Sequence, residues 1–542
     1  MRRISAYSSA AILLLAFGLR AYHLAFQASM SDDALGLTLA QHNPLQLFSL
    51  TASEPFPATF YVTLSLWTKL SGTAEYAGRF YSLVFSVLAV AATYCAGSRM
   101  LNRRAGLVAA FLLAINPLDI YFAQEVRMYS MVTLFAIGSS IPAYELLAGR
   151  SKPWLAYAAV SLAAVMTHAF ALLVLFAQSV AALIAGPRGW RWWRWWALCQ
   201  LGVVAVFGVW LALVARNLQA YSNALVSAPQ LPELLWRLFT AFALGFSPAA
   251  GVGIVLPGLL VGLVACGLAG LWLPAIRTVT RPSRSHVASS PEGAPADRPL
   301  RPGRALAPFA AADGGLAVVF LSCWLLLPPL VVWVIGFVRP AFYERYLVVC
   351  LPAALLLAAA GMVALERGLL WGGARMRTAR VTAAGFERGL VQAGTPPPTE
   401  GASAAGAERA LPWAGASAAG AERGLPTARA SAAGVEHGLP SAGASAAGVE
   451  HGLPSAGVRV RMAGAALAGA AVIVLAGATG VQLRSYYGTV VYATRDDMRA
   501  LASYVSSVRQ PVVVTNVASS DPLYGYYLPP AMPVASTQDM PQ

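Results

Sequence analysis

Continuous apolar stretches of about 20 residues decide what this 542-residue chain can fold into. They lie near residues 5–27, 79–98, 105–122, 128–147, 197–215, 251–275, 315–337, 345–365 and 462–481. A hydrocarbon core of about 30 Å takes about 20 helical residues to cross. A membrane β-barrel needs short alternating segments instead, and is excluded. A further run, 154–186, is too long for one span and reads as two short helices meeting near Thr167-His168. Only 11% of the residues are charged, against about 25% in soluble domains. That leaves too thin a polar coat for a cytosolic enzyme, a disordered chain or a DNA-binding domain. The expectation is an all-α polytopic membrane protein of about eleven transmembrane helices, closed by a small outside segment.

The formal net charge of +15 invites a nucleic-acid reading, but its distribution argues for topology. With the N-terminus in the cytoplasm, 26 of the 38 basic residues and 11 of the 23 acidic residues fall on the inside. The whole excess is then cytoplasmic, as the positive-inside rule requires. No nucleic-acid partner is expected. Arg2-Arg3 before the first run, with no clear small-x-small site before Asp32, reads as an uncleaved anchor. The run Trp190–Trp196, interleaved with Arg191 and Arg194, reads as an interfacial anchor. The five cysteines all lie in apolar runs and read as small buried hydrophobes.

Residues 1–365 form the expected transmembrane core, with an outside loop at 28–78. Residues 366–461 form a cytoplasmic loop, 462–481 the last span, and 482–542 an extracytoplasmic segment. Within the loop, 402–457 holds four copies of a 14-residue unit, two of them reading ASAAGVEHGLPSAG. A Leu-Pro in every unit interrupts helix propagation, and alanine supplies too little bulk for a core. This is a low-complexity linker, and His437 and His451 are repeat copies rather than metal ligands.

The long outside segments are where chemistry is sought. The first opens with Ser31-Asp32-Asp33, then Glu54-Pro55-Phe56-Pro57 and the interfacial stretch PATFYVTLSLWTKL, and ends with Arg79 at the mouth of the next span. The segment Asn116–Ser130 places Glu125, Arg127 and Tyr129 where another helix begins. Arg339–Tyr346 puts Glu344, Arg345 and Tyr346 on the same outer face. Each alone is ordinary: solvated acids, a helix-terminal ion pair, an aromatic belt. Together they gather acids and arginines around one outer cavity, where ionisable groups at membrane depth carry function.

These stretches resemble the membrane glycosyltransferases of family 39, of the GT-C superfamily, which include protein O-mannosyltransferases and aminoarabinose transferases. SDDALGLTLAQHNP resembles their first loop, AGRFYSLVFSVL the entry to their second span, and NPLDIYFAQEVRMYSM their Ser-Gln-Glu-Ala-Arg-Met-Tyr-Ser pattern. MTHAFALLVL is similar to their Thr-His-Tyr-Phe stretch, and FYERYLVVCLPA to their late Arg-Tyr motif. YYGTVVYATRDDMRALASYV looks like the start of their small outside domain. Two departures stand out. Asp33 replaces a usual Glu, and Glu54-Pro55-Phe56-Pro57 replaces a His-Pro-Pro.

The resemblance implies sugar transfer from a polyprenyl-phosphate donor to an acceptor hydroxyl at the outer face of the cytoplasmic membrane. The acceptor is a glycan, lipid or protein. Asp32 matches the family's general base, with Asp33 and Glu125 the other catalytic candidates. Arg127, Arg345 and Arg79 are candidates for the donor phosphate. Tyr129, Tyr346 and His168 are candidates for substrate binding. No metal and no cofactor are expected. An envelope-glycan ligase or polymerase stays open at this point. So does a lipid or sugar transporter, although no repeat relates the two halves.

Overall fold

The computed structural model describes residues 2–26, 31–53, 57–185, 189–221, 230–246, 253–280, 313–337, 343–366, 474, 476–484, 513–515 and 534–536. The chain divides into two units, residues 1–370 with 462–542, and residues 371–461. The repeats at 402–457 lie outside the described residues, as does most of the expected span 462–481.

The described residues of the first half form a series of helices joined by short connections. In order come α1 (Arg2–Ala21), α2 (Ser31–Ala40), α3 (Pro44–Ser53), α4 (Thr59–Ser71), α5 (Glu75–Met100), α6 (Arg103–Ala114), α7 (Pro117–Ala123) and α8 (Tyr129–Ala148). They continue with α9 (Trp154–Thr167), α10 (Ala171–Ile184), α11 (Trp190–Tyr221), α12 (Leu231–Leu244) and α13 (Val255–Thr280). Helices at Asp313–Ile335 and Glu344–Glu366 follow, the second opening as a 3-10 turn over Glu344–Cys350.

Among the described residues six helices are long and apolar enough to cross a membrane, or seven if the bent pair α6–α7 is one span. The chain is a multi-pass membrane protein. The expected eleven spans are not all present as full-length helices, for local reasons. The run 105–122 breaks at Asn116-Pro117, where proline cannot donate to the preceding turn, and its two parts meet at 59°. Asn116 starts the second part by accepting from the Asp119 amide at 3.0 Å. The first run stops at Ala21, two residues before His23, whose φ of 56° leaves the helical region. The run 154–186 divides into α9 and α10, with the break at 168–170 where the sequence places it. The Trp190–Trp196 run forms the first turns of the 32-residue α11.

Small residues let these helices close up. A Cβ on Gly97 of α5 would sit 2.6 Å from the Gly106 Cα of α6, so the two backbones touch where both lack side chains. One apolar core runs through α5–α10 and the two late helices, and a second joins α2 and α4 to Tyr81, Val126, Met128 and Met131. The interfacial helix expected from PATFYVTLSLWTKL is present as α4. α2, α3 and α12 are additional to the sequence reading. Cys323 and Cys350 are buried as expected, whereas Cys95 is exposed. The described residues also depart from all-α in one place. Val513–Thr515 pairs in parallel with Val534–Ser536, Val513 opposite Val534.

Candidate active site

The site begins where α1 ends. Past Ala21 the chain turns through His23, and both neighbouring carbonyls are held from elsewhere. Gln124 Nε2 donates to Arg20 O at 3.0 Å and to Tyr22 O at 2.8 Å, while Arg79 Nη1 donates to Leu24 O at 3.1 Å.

Arg79, near the start of α5, also reaches Asp33 on α2, with Nη2 3.2 Å from Oδ2. The other Asp33 oxygen accepts the Val126 amide at 2.7 Å. Both side chains are buried to within 2%. The structure therefore brings two sequence candidates, Asp33 and Arg79, into one ion pair and fastens it to the segment Gln124–Met128. Asp33 stands as a ligand of Arg79 and Val126, enclosed rather than open to an acceptor. Asp32 lies beside it in the first turn of α2, its side chain outside the described residues.

Two glycines admit this segment. A Cβ on Gly36 would lie 3.0 Å from Val126 O, and one on Gly78 2.7 Å from Leu37 and 3.1 Å from Val126. Val126 is thus seated between α2 and α5, and its neighbours Glu125 and Arg127 are presented on either side of it. Glu125 is half-buried. Arg127 is buried, donates from Nη1 to the Tyr61 hydroxyl at 3.2 Å, and receives at its carbonyl a bond from Ser82 at 3.4 Å.

The remaining candidates converge on the same place from three other elements: the start of α8, the α9–α10 connection and the helix that opens at Glu344. The Tyr129 hydroxyl is within electrostatic reach of Arg127, Arg345, Tyr346 and Glu125. The Tyr129 and His168 rings lie 5.8 Å apart, and those of His168 and Tyr346 5.5 Å apart. Arg345 is half-buried, its guanidinium 5.0 Å from the centre of the Tyr343 ring, a cation–π distance. Phe170 closes the group, 4.7 Å from Tyr346.

His168 sits in the short connection between α9 and α10. Burial, and then the Arg127 guanidinium, push its pKa down to about 4, so it is neutral at physiological pH. Its Nδ1 accepts from the Phe170 amide at 3.3 Å, which assigns the ring proton to Nε2 and makes the ring a donor there.

Arg127, Arg345, Tyr129, Tyr346, His168 and Glu125 therefore form one cluster, and Asp33 with Arg79 forms its backing. Arginine forks beside neutral hydroxyl and imidazole donors suit a phosphate or a sugar hydroxyl. Among the described residues no group of three His, Cys, Asp or Glu side chains is gathered as a metal site. Sequence reasoning missed Tyr61 and Phe170, which carry no charge signal. It also missed Arg20, which lies inside an apolar run, and Asp119, which it passed over in a loop.

Residues 54–215 match the family model of dolichyl-phosphate-mannose-protein mannosyltransferases. The match bears out the resemblance to glycosyltransferase family 39. It contains Arg79, Glu125, Arg127, Tyr129 and His168, with Asp32 and Asp33 before it and Arg345 and Tyr346 beyond it. No curated protein matches the chain. Among solved structures the chain is similar to ArnT from Cupriavidus metallidurans bound to undecaprenyl phosphate. That likeness has 14% identity and a TM-score of 0.43, over 98% of this chain and 85% of that one. It is also similar to the Archaeoglobus fulgidus oligosaccharyltransferase in the apo form, with 11% identity and a TM-score of 0.45, over 99% of this chain and 65% of that one. Both likenesses are faint.

Proposed function

We propose that this chain is a membrane glycosyltransferase of the GT-C type. It moves a sugar from a polyprenyl-phosphate donor to an acceptor hydroxyl on the outer face of the cytoplasmic membrane. One observation carries the reading. The family match covers the very segment that Asp33, Gly36 and Gly78 seat, so Arg79, Glu125 and Arg127 lie within the matched stretch and around one point.

The lipid tail keeps the donor's sugar–phosphate bond at the membrane surface. A small pocket beside the α6–α7 break is lined mostly by apolar side chains, Leu112, Ile115, Pro117, Phe242, Leu260 and Leu355, with Asn116 and Thr479 among them. Arg127 and Arg345 stabilise the charge that builds on the leaving phosphate, which needs charge neutralisation more than protonation. Neutral His168, with Tyr129 and Tyr346, offers hydrogen bonds and ring faces to the sugar. Asp32, one residue from the enclosed Asp33, takes the acceptor proton as the hydroxyl attacks the anomeric carbon. The new bond is sugar to acceptor oxygen, the broken bond is sugar to phosphate oxygen, and the lipid phosphate departs.

The test is a transfer assay on purified protein in nanodiscs, with a panel of polyprenyl-phosphate sugars. The lipid-linked sugars that accumulate in a deletion strain identify the donor. Asp32→Asn lowers turnover by about 10²–10⁴-fold, as loss of a general base does, while donor binding persists. Lack of transfer from every lipid-linked sugar, with no accumulation in the deletion strain, defeats the reading.

A further inference from the structure

We infer that Arg20 and Asp119 are positioning residues for this transfer. They form a buried clamp that aims α7, and through it the segment bearing Glu125 and Arg127. The inference rests on the transferase reading for its activity readout and on geometry alone for its structural one.

Arg20 is fully buried near the end of α1. Its Nη2 lies 2.5 Å from Asp119 Oδ2 and 3.0 Å from Leu113 O. Nη1 donates to Ala114 O at 2.8 Å and to its own helix at Ala16 O. Nε donates to Ser86 Oγ at 2.5 Å. Ser86 in turn donates to the same Asp119 oxygen. The carbonyls of Leu113 and Ala114 are the last of α6. In an unbroken helix, Leu113 O would accept from the amide at position 117, which is proline and has none. Leu113 O keeps a tighter bond from the Asn116 amide at 3.2 Å; the guanidinium adds donors to both carbonyls at the break, and a carboxylate on the next arm neutralises it.

The same residue grips the other end of α7. Gln124, the residue after Ala123, donates to the Arg20 and Tyr22 carbonyls. Asp119 holds the start of the seven-residue arm and Gln124 its finish, both against the last turn of α1. Glu125, Val126 and Arg127 follow immediately, so the angle at which α7 leaves α6 sets where they arrive. A buried ion pair is seldom the most stable filling for such a place, since apolar residues of similar volume often do as well or better. Its merit is direction. Arg20 offers a fixed fork to three carbonyls, a carboxylate and a hydroxyl at once, which fits one bend angle.

Removing both charges together avoids stranding either one. In Arg20→Met/Asp119→Leu the protein inserts and folds. Hydrogen exchange then becomes at least tenfold faster at the amides of 124–128 and not along α8. kcat/KM falls at least tenfold, and the further cost of Arg127→Lys shrinks well below its cost in the parent, because the two changes damage one element. Arg20→Lys keeps the charge without the fork and gives the same changes in smaller measure.

Unchanged exchange and turnover in both variants overturn the inference. So does a cost of Arg127→Lys that stays fully additive. Should the double variant fail to fold, Arg20→Lys alone decides: wild-type exchange at 124–128 refutes the clamp and faster exchange upholds it. If exchange loosens but the parent transfers from no lipid-linked sugar, the clamp stands and the transferase reading falls.

Discussion

Replacing Asp33 separates a residue that does chemistry from one that holds chemistry in place. Its two oxygens serve Arg79 at 3.2 Å and the Val126 amide at 2.7 Å, both within a buried region. Asp33→Asn leaves an amide oxygen for Val126 but removes the charge opposite Arg79. Breaking one side of a buried ion pair costs about 3–5 kcal/mol. Asp33→Ala also strands the Val126 N–H, whose desolvation alone costs about 1–3 kcal/mol, so it is the more damaging of the two. Asp33→Asn/Arg79→Met removes the lone charge and recovers most of the loss, to within about 2 kcal/mol of the parent. The assay is unfolding in mixed micelles by titrated SDS, followed by tryptophan fluorescence. The expected order of stability is parent, double variant, Asp33→Asn, Asp33→Ala. If Asp33→Asn unfolds with the parent while its turnover collapses, Asp33 is a catalytic acid or base and the ion-pair argument is wrong. A double variant less stable than either single change refutes it equally.

Three further outcomes follow from the geometry. His168 has a pKa lowered from 6.5 to about 4; below pH 6.5 the unfolded chain takes up a proton that the folded one refuses, so stability falls from pH 6.5 to 4, by about 3 kcal/mol at most. His168→Gln removes that component, and an unchanged pH profile of unfolding would count against the buried neutral ring. Arg127→Lys keeps the charge but loses the fork, and is expected to raise donor KM at least tenfold, whereas Tyr61→Phe, which removes the hydroxyl that accepts from Arg127 at 3.2 Å, raises it only a few-fold; equal effects would show that Arg127 serves Tyr61 rather than the donor. Reporter fusions at Gly401 and Ser520 are expected on opposite sides of the membrane, and the same sidedness for both would sink the charge-based topology.

What the sequence disclosed, and what it withheld, follows from range. The break at Thr167-His168 was legible because a 33-residue apolar run is too long for one span and carries its polar pair in the middle. Arg79, Glu125 and Arg127 were legible as charges next to apolar runs. The pairing of Asp33 with Arg79 was not, because 46 residues separate them and only the seating of α2 against α5 brings them together. The carboxylates Asp32 and Asp33 look equivalent in sequence, yet Asp33 points its two oxygens at Arg79 and Val126. Arg20 was hidden by its own surroundings, since one arginine barely dents the hydropathy of a helix. α2 and α12 escaped notice for the opposite reason. They are short, and lie between longer features, where apolar content alone marks neither a span nor a strand.

The clamp between Arg20 and Asp119 also bears on the order in which the protein is made. Ninety-nine residues separate the two charges, and a ribosome adding about 5–20 residues per second takes about 5–20 s to deliver the second after the first. Through that interval the leading helix must be held with its arginine unmatched, a residue that insertion scales charge at about 2.5–3.5 kcal/mol at a helix centre. Its position one residue from the end of α1 lets the side chain reach for the headgroups while it waits. Arrival of the arm Pro117–Ala123 turns that provisional hold into a fixed one. α1 is thus committed late, by a segment synthesised after α5, a helix of spanning length, and a nascent chain stalled before residue 119 is expected to keep α1 extractable from the membrane.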